Sequence, residues 1–331
     1  MLEKGYHVFG TYRRLSTPNF WRLQFLNIFD EVNLISADLL DSPSIFEAII
    51  TSQPNEIYHL AAQSFVGASF EQPIATGEVT GLGVVRLLEA VKKINPEIRI
   101  YQASTSELYG NGSEKPMSEA SPFCPSSPYA ASKLYSYWIN KIYREGYNMF
   151  TCNGILFNHE SPIRGLEFVT RKISNGVARI ALGLDNELSL GNIEAKRDWG
   201  YAPEYVEAMW RILQQDEPDD YVIATNETHS VKEFLTKAFE YVNLEWEKHV
   251  KIDGKLHRPL DVKYLQGDYT KSSEILGWNP LTKFNRLVEI MVHADLKRWE
   301  MWLKGEKFPW DAPFYPNDNK IIPRTWRLER R

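Results

Sequence analysis

The stretch Ile98-Arg99-Ile100-Tyr101-Gln102-Ala103-Ser104-Thr105-Ser106-Glu107-Leu108-Tyr109-Gly110 decides the fold. Its first half, Ile98 to Ser104, is a short β-rich apolar run. Its second half opens small and polar, as at the C-terminal exit of a strand. Similar runs recur on either side, at Tyr6 to Tyr12, Val32 to Ala37, Glu56 to Ala61 and Phe150 to Phe157. Helical patterns lie between them, from about Pro73 to Lys93 and from Tyr129 to Arg144, the second opened by the Pro-rich loop Pro116 to Pro128. Near-continuous apolar strands alternating with helices predict a parallel sheet covered on both faces. The expected class is α/β, a doubly wound, Rossmann-like dinucleotide-binding sheet. After residue 158 helices dominate, with short strands expected at Glu187 to Leu190 and Tyr221 to Thr225. The organisation read from this is a dinucleotide-binding domain over 1–158 and a smaller mixed α/β substrate lobe over 159–331, part of which returns to the main sheet.

Composition narrows the function classes. Lys plus Arg total 38 and Asp plus Glu total 43, a net charge of −5 over 331 residues, which gives no basic footprint for nucleic acid or a membrane surface. No apolar run approaches the roughly 20 residues of a spanning helix, and Met1-Leu2-Glu3-Lys4 does not read as a signal peptide. Cys124 and Cys152 make neither a disulfide framework nor a metal-ligand set, so no metal is expected. The Arg-rich end, Arg324 to Arg331, reads as a short solvated tail. A cytoplasmic enzyme acting on a small molecule is the expectation.

Two clusters carry chemistry. Tyr129-Ala130-Ala131-Ser132-Lys133 puts a phenol and an ammonium at i and i+4 on one helix face. A free tyrosine titrates near pH ~10 and is a poor base at neutrality, but a nearby cation favours the phenolate. Such a pair takes a proton from an alcohol while a nicotinamide takes the hydride. Alone, the spacing also fits an exposed helix pair. Thr105 and Glu107 stand two apart at a strand end, where extended geometry puts both on one side and where ligands of open α/β sheets bind. A carboxylate there suits proton removal next to a newly made carbonyl, though a solvated strand exit is the plainer alternative.

The fold normally opens with a strand, a Gly-rich turn and a helix N-terminus that holds a pyrophosphate. Here Met1 to Gly5 reads as the last turn of that helix running into the second strand, so the first strand and its turn are expected to be absent. The second strand ends Thr11-Tyr12-Arg13-Arg14, two cations where an NAD enzyme of this class carries an acid. That suits a 2′-phosphate and favours NADP, the alternative being two surface arginines.

The chain resembles the extended short-chain dehydrogenase/reductases and, among them, the GDP-mannose 4,6-dehydratase family. The resemblance is carried by His59 to Ser64 (HLAAQS), Gln102 to Gly110, Ser127 to Lys133 and Asn153 to Gly165 (NGILFNHESPIRG). It continues through Phe168 to Ile173, Gly191 to Gly200 (GNIEAKRDWG), Tyr205 to Thr225 and Thr228 to Val231, and covers about residues 1–304. It implies that Tyr129 is the base for oxidation at C4, tuned by Lys133, which also binds the nicotinamide ribose. Glu107 would be the C5 base and C6 acid, and Thr105 would hydrogen-bond near O4. His159 and Arg164 would contact the cofactor, Leu60, Ala61 and Ala62 would line its pocket, and Asp38 and Leu39 would sit by the adenine. Ser64, Asn158, Lys172, Lys196, Arg197 and Arg258 are candidates for holding the sugar nucleotide. The implied reaction converts GDP-mannose to GDP-4-dehydro-6-deoxy-mannose with recycled NADP, in a homodimer or homotetramer. Ile74 stands where the pattern has an aromatic residue, and Asp261 where it has Glu. A same-fold reductase of the product, which would need no Glu107, or another sugar-nucleotide epimerase, is one rival. A non-catalytic partner subunit unable to hold NADP is another.

Overall fold

The computed structural model describes residues 1–17, 19–112, 116–256 and 259–306. Among them the strands are β1 (Phe9–Tyr12), β2 (Asn33–Ser36), β3 (Glu56–His59), β4 (Arg99–Ala103), β5 (Thr151–Leu156) and β6 (Asn158–Glu160). The later ones are β7 (Leu188–Leu190), β8 (Lys196–Arg197), β9 (Trp199–Tyr201), β10 (Tyr221–Ile223), β11 (His229–Ser230) and β12 (Val250–Ile252). The central sheet is parallel, in the order β10-β5-β4-β3. Every residue of β5 is buried, as a strand covered on both faces requires. On β4 the strand period of two sends Ile100 into a cluster with Ile45, Leu88 and Val91, and Tyr101 into one with Ile212, Tyr221 and Trp278.

The order differs from one continuous sheet. β1 and β2 form a separate parallel pair, and among the described residues β3 pairs only with β4. The opening residues make a 3-10 turn, Leu2–Lys4, ended by Gly5 at φ 81°, where only glycine is unstrained. They dock on the helix Ala202–Leu213: Lys4 pairs with Glu207 at 3.0 Å and lies over the Trp210 ring. Trp210 Nε1 donates to the Tyr6 hydroxyl at 2.9 Å, and that hydroxyl donates to Glu56 on β3 at 3.1 Å. β10 is drawn from the second half of the chain into the central sheet.

The expected helix over Pro73 to Lys93 is there, but interrupted. α-Helical Pro73–Thr76 and Gly83–Ile94 flank a π segment, Gly77–Leu82. It turns the Thr80 hydroxyl to the backbone N–H of Gln63 at 3.1 Å, while the Thr80 carbonyl accepts from Ser136 at 2.6 Å. The helix Pro128–Tyr147 starts where its caps dictate. Ser127 Oγ accepts from the Ala130 N–H, and Pro128 stands at the first helical position. A separate apolar cluster lies among the helices Val169–Ala181, Val231–Tyr241 and Phe284–Leu303, which bury Val177, Phe234, Phe239, Leu287 and Val292. No helix of the described residues is long and apolar enough to cross a membrane.

Candidate active site

One cavity of about 1290 Å³ opens at the C-terminal end of the central sheet, walled also by the helix Val169–Ala181 and by residues of β7 and β8. β4 ends at Ala103, and the chain turns at once through Ser106–Leu108, with Thr105 Oγ1 capping that turn by accepting the Glu107 N–H at 3.2 Å. Thr105 and Glu107 thus both line the cavity, and both are buried. Tyr129 and Lys133 reach it from the first turns of the helix Pro128–Tyr147, one face of which packs on β5. The Tyr129 phenol hydrogen-bonds the Thr105 side chain. Lys133 Nζ donates to the Ala103 carbonyl at 2.6 Å.

The electrostatics differ from the expectation in one respect. The Tyr129 phenol is pushed up to about 12 by burial and by the Glu107 charge, against a lowering by Thr105 and Arg164. Burial also brings the Lys133 ammonium down to about 8. Lys133 is turned to a backbone carbonyl, so desolvation outweighs any lowering of the phenol by its neighbour.

His159 lies on β6, stacked on Tyr205 with ring centroids 5.0 Å apart. Its Nδ1 is 2.8 Å from the Phe157 carbonyl, which can only accept, so Nδ1 carries the hydrogen and Nε2 is left as an acceptor. Burial, helped by the Arg164 charge, brings the ring down to about 4 and keeps it neutral. Arg164 pairs with the buried Glu160 at 3.2 Å and covers the Phe168 ring. Glu160 also accepts from Thr170 Oγ1 at 2.7 Å; burial raises this carboxyl above the usual range.

The cavity lining gathers Leu60, Ala62, Ser64, Thr105, Glu107, Tyr129, Lys133, Asn158, His159, Arg164, Lys172 and Arg197 from the expected residues. Ala61, Asp38, Leu39, Arg13, Arg14 and Lys196 are not among the residues that line it. Arg13 and Arg14 are exposed just past β1, and Asp38 and Leu39 come just after β2, so the parallel pair sends all four out at the same end. Asp38 Oδ1 accepts the Leu40 N–H, and Leu39 packs against Gly83. Lys196 and Arg197 are neighbours on a strand and point oppositely, so Arg197 is buried at the wall and Lys196 is exposed. Arg258 and the tail Arg324 to Arg331 lie outside the described residues. Asp261, in place of Glu, sits 3.5 Å from Arg197 and accepts from Asn192 at 3.1 Å; Ile74 is exposed and outside this cavity.

Several lining residues went unread in the sequence. Asn175, Gly176 and Arg179 join Lys172 along one face of the helix Val169–Ala181. Their i, i+3, i+4, i+7 spacing was the available signal. The buried carboxylates Glu160 and Asp198 had no such signal, because acid residues in a sequence do not announce burial.

The lining suits a nicotinamide dinucleotide and a sugar nucleotide together: it combines a phenol, an ammonium and a neutral imidazole with the cations Arg197, Lys172 and Arg179. Comparison with known proteins agrees. Among solved structures, the fold matches a Thermus thermophilus UDP-glucose 4-epimerase in complex with NAD, with a TM-score of 0.78 and 25% identity over 89% of this chain and 92% of that one. It also matches RMD from Pseudomonas aeruginosa complexed with NADPH, with a TM-score of 0.76 over 88% of this chain and 100% of that one; at 21% identity that likeness concerns the fold alone. GDP-mannose 4,6 dehydratase 1 of Arabidopsis thaliana is 50% identical over 308 residues, covering 90% of this chain and 85% of the relative. The human GDP-mannose 4,6 dehydratase is 49% identical over 323 residues, covering 90% and 87%. Residues 1–291 match the family described as GDP-mannose 4,6 dehydratase, and with relatives this similar over nine-tenths of its length the chain belongs to that family.

Proposed function

We propose that the chain is an NADP-dependent GDP-mannose 4,6-dehydratase, a hydro-lyase that converts GDP-mannose to GDP-4-dehydro-6-deoxy-mannose. The observation that carries this is the meeting of a phenol, an ammonium and a buried carboxylate, Tyr129, Lys133 and Glu107, on one cavity wall. Tyr129 and Lys133 alone suit alcohol oxidation; Glu107 adds the acid–base group that elimination needs. When bound, the nicotinamide supplies the hydride acceptor for C4 and the hydride donor for C6.

The chain's own groups move the protons. Tyr129, held by Thr105, takes the proton of the C4 hydroxyl. Glu107 takes the C5 proton, now acidic beside the C4 carbonyl, and hands it to the departing C6 hydroxyl, which leaves as water. The Tyr129 proton returns to C5, so the balance is the loss of one water from the sugar. Lys133 holds the nicotinamide ribose, and His159 offers Nε2 as an acceptor beside it. Arg197, Lys172 and Asn158 hold the sugar diphosphate. Arg13 and Arg14, exposed just past the end of β1, are read as partners of the 2′-phosphate.

The working unit is a cytoplasmic homo-oligomer. Tyr135, Trp138 and Ile142 are exposed along one face of the helix Pro128–Tyr147, an apolar stripe suited to a second copy. The decisive experiment supplies GDP-mannose and NADP to the purified protein and tracks the sugar nucleotide by mass spectrometry. Loss of one water with no net change in cofactor is expected. Net oxidation of the sugar, or an unchanged mass, overturns the assignment.

A further inference from the structure

Asp198 is fully buried, and the groups that hydrogen-bond its carboxylate are neutral donors. Oδ1 accepts the Thr225 N–H at 2.9 Å and the Thr225 hydroxyl at 2.7 Å, and Oδ2 accepts the Gly267 N–H at 3.1 Å. The backbone N–H of Asn226 adds a further bond. These donors come from two separate segments: the exit of β10, and the strap 262–267 that bridges to Lys196 through Tyr264 and to Met117 through Gly267. Gly267 has no room for a side chain, since an added Cβ would lie 2.3 Å from the Ala224 Cβ, so the strap is held at close backbone approach.

The flanking residues face the other way. Arg197 and Trp199, on either side of Asp198, both line the cavity. The Arg197 guanidinium is held by the same strap, donating to the Val262 carbonyl at 2.7 Å with Asp261 at 3.5 Å. Asp198 therefore fixes Arg197 twice, through the chain and through the strap on which the guanidinium rests.

A carboxylate is a costly choice here. Burial pushes it up to about 7, against the pull of its four hydrogen bonds, and no cation among the described residues pairs with it directly. When ionised it is, however, acceptor-only, and the groups that converge on it are donors; an amide of the same size would turn an NH₂ toward one of them. We propose that Asp198 is a positioning residue for substrate binding, setting the place of Arg197 and Trp199 in the wall that receives the sugar nucleotide. This rests on the reading of Arg197 as a diphosphate ligand.

The test uses the full chain with its cofactor. Affinities for GDP and for NADP are measured separately by calorimetry, with KM, kcat and melting temperature, for Asp198→Asn, Thr225→Val and Arg197→Ala. Expected for Asp198→Asn is a rise of about tenfold in the GDP Kd and in KM, the loss of roughly one hydrogen bond. Its NADP Kd should not move, and kcat should change much less than KM. Thr225→Val, which loses the hydroxyl and keeps the N–H, should shift the GDP Kd in the same direction by less. Arg197→Ala raising the GDP Kd while Asp198→Asn and Thr225→Val leave it unmoved would overturn the positioning role alone. An Arg197→Ala variant with unchanged GDP Kd would remove the reading beneath it. Equal losses for GDP and NADP, tracking a lower melting temperature, would make Asp198 a stability residue only. Should Asp198→Asn not fold, Thr225→Val decides by the same criterion.

Discussion

Lys133 donates from its ammonium to the carbonyl of Ala103, the last residue of β4, across 2.6 Å. The same carbonyl accepts Gln102 Nε2 at 3.1 Å, and Gln102 Oε1 lies 2.7 Å from His59 Nδ1. His59 is brought down to about 4 by burial, so the ring is neutral and places no second charge near the ammonium. The helix and the sheet are thus tied by one cation whose place is set by a backbone oxygen and whose charge burial makes easier to lose.

This contact gives cofactor binding a pH dependence. The Lys133 ammonium stands near 8 in the folded protein, below the ordinary lysine value of 10.5. Its folded value is depressed, so the charged form is lost as pH rises through about 8, long before a free lysine would lose it. If the charge holds the nicotinamide ribose, NADP affinity of the free protein falls between about pH 7 and 9. Lys133→Arg, which stays charged, should abolish that bend even if it weakens binding overall. Calorimetric NADP titrations across this range check it; a flat profile for the unmodified protein would be inconsistent with the role.

Glu107 separates elimination from oxidation. Its N–H is taken by Thr105 Oγ1, so the turn that carries the carboxylate persists without the charge. Glu107→Gln should lower dehydration by roughly 10²–10⁴-fold while leaving oxidation at C4, so reduced nicotinamide accumulates and shows in near-ultraviolet absorbance. Tyr129→Phe should lose both, with GDP affinity kept, because it removes the first proton acceptor. Normal product from Glu107→Gln would falsify the assignment.

Part of the site was legible because helix period acts locally: Tyr129 and Lys133, one helical turn apart, share a face once the helix forms. Thr105 and Glu107 do come together, but not by the strand period expected of them: β4 ends at Ala103, and a 3-10 turn capped by Thr105 carries Glu107 to the cavity. The strands were also legible, though observed shorter: Tyr6 to Tyr12 became Phe9–Tyr12, because Tyr6 is drawn off to Glu56 and Trp210. The π segment was not legible, since its six residues keep helical composition and differ only in a bonding pattern set by Gln63 and Ser136. Nor was the raised phenol of Tyr129, because desolvation depends on what covers the group and not on its neighbours in the chain.

Arg13 and Arg14 test the cofactor choice. Both are exposed past the end of β1, where the paired strand sends Asp38 out beside them. Replacing both with Ala should weaken NADP binding by tenfold or more, about 1.4 kcal/mol, and NAD binding by much less, since only the former carries a 2′-phosphate. Parallel titrations with the two dinucleotides measure this, and equal losses would count against a phosphate site at that strand end.

Asp295 tests what holds the cavity walls. It is fully buried on the helix Phe284–Leu303 and accepts Arg171 Nε at 3.0 and 2.9 Å, Ser174 Oγ at 2.6 Å and Arg298 at 2.9 Å. Arg171 belongs to the helix Val169–Ala181, whose Lys172, Asn175 and Arg179 line the cavity. Its other arm donates to the Arg164 carbonyl at 2.8 Å, so one carboxylate supports both a wall and the loop beside His159. Removing one partner of a buried pair costs about 3–5 kcal/mol, because the other charge stays buried without compensation. Against a total of roughly 5–15 kcal/mol, Asp295→Ala should lower the denaturation midpoint sharply and weaken NADP binding as Arg164 loosens. The exposed pair Lys237–Glu240 is the control, with side chains 46% and 55% exposed. Glu240→Ala should change stability by no more than about 0.5 kcal/mol. Urea denaturation of the two variants, read by tryptophan fluorescence, distinguishes them. Equal midpoints would mean that the packing of Val177, Leu287 and Val292 holds these helices without the ion pair.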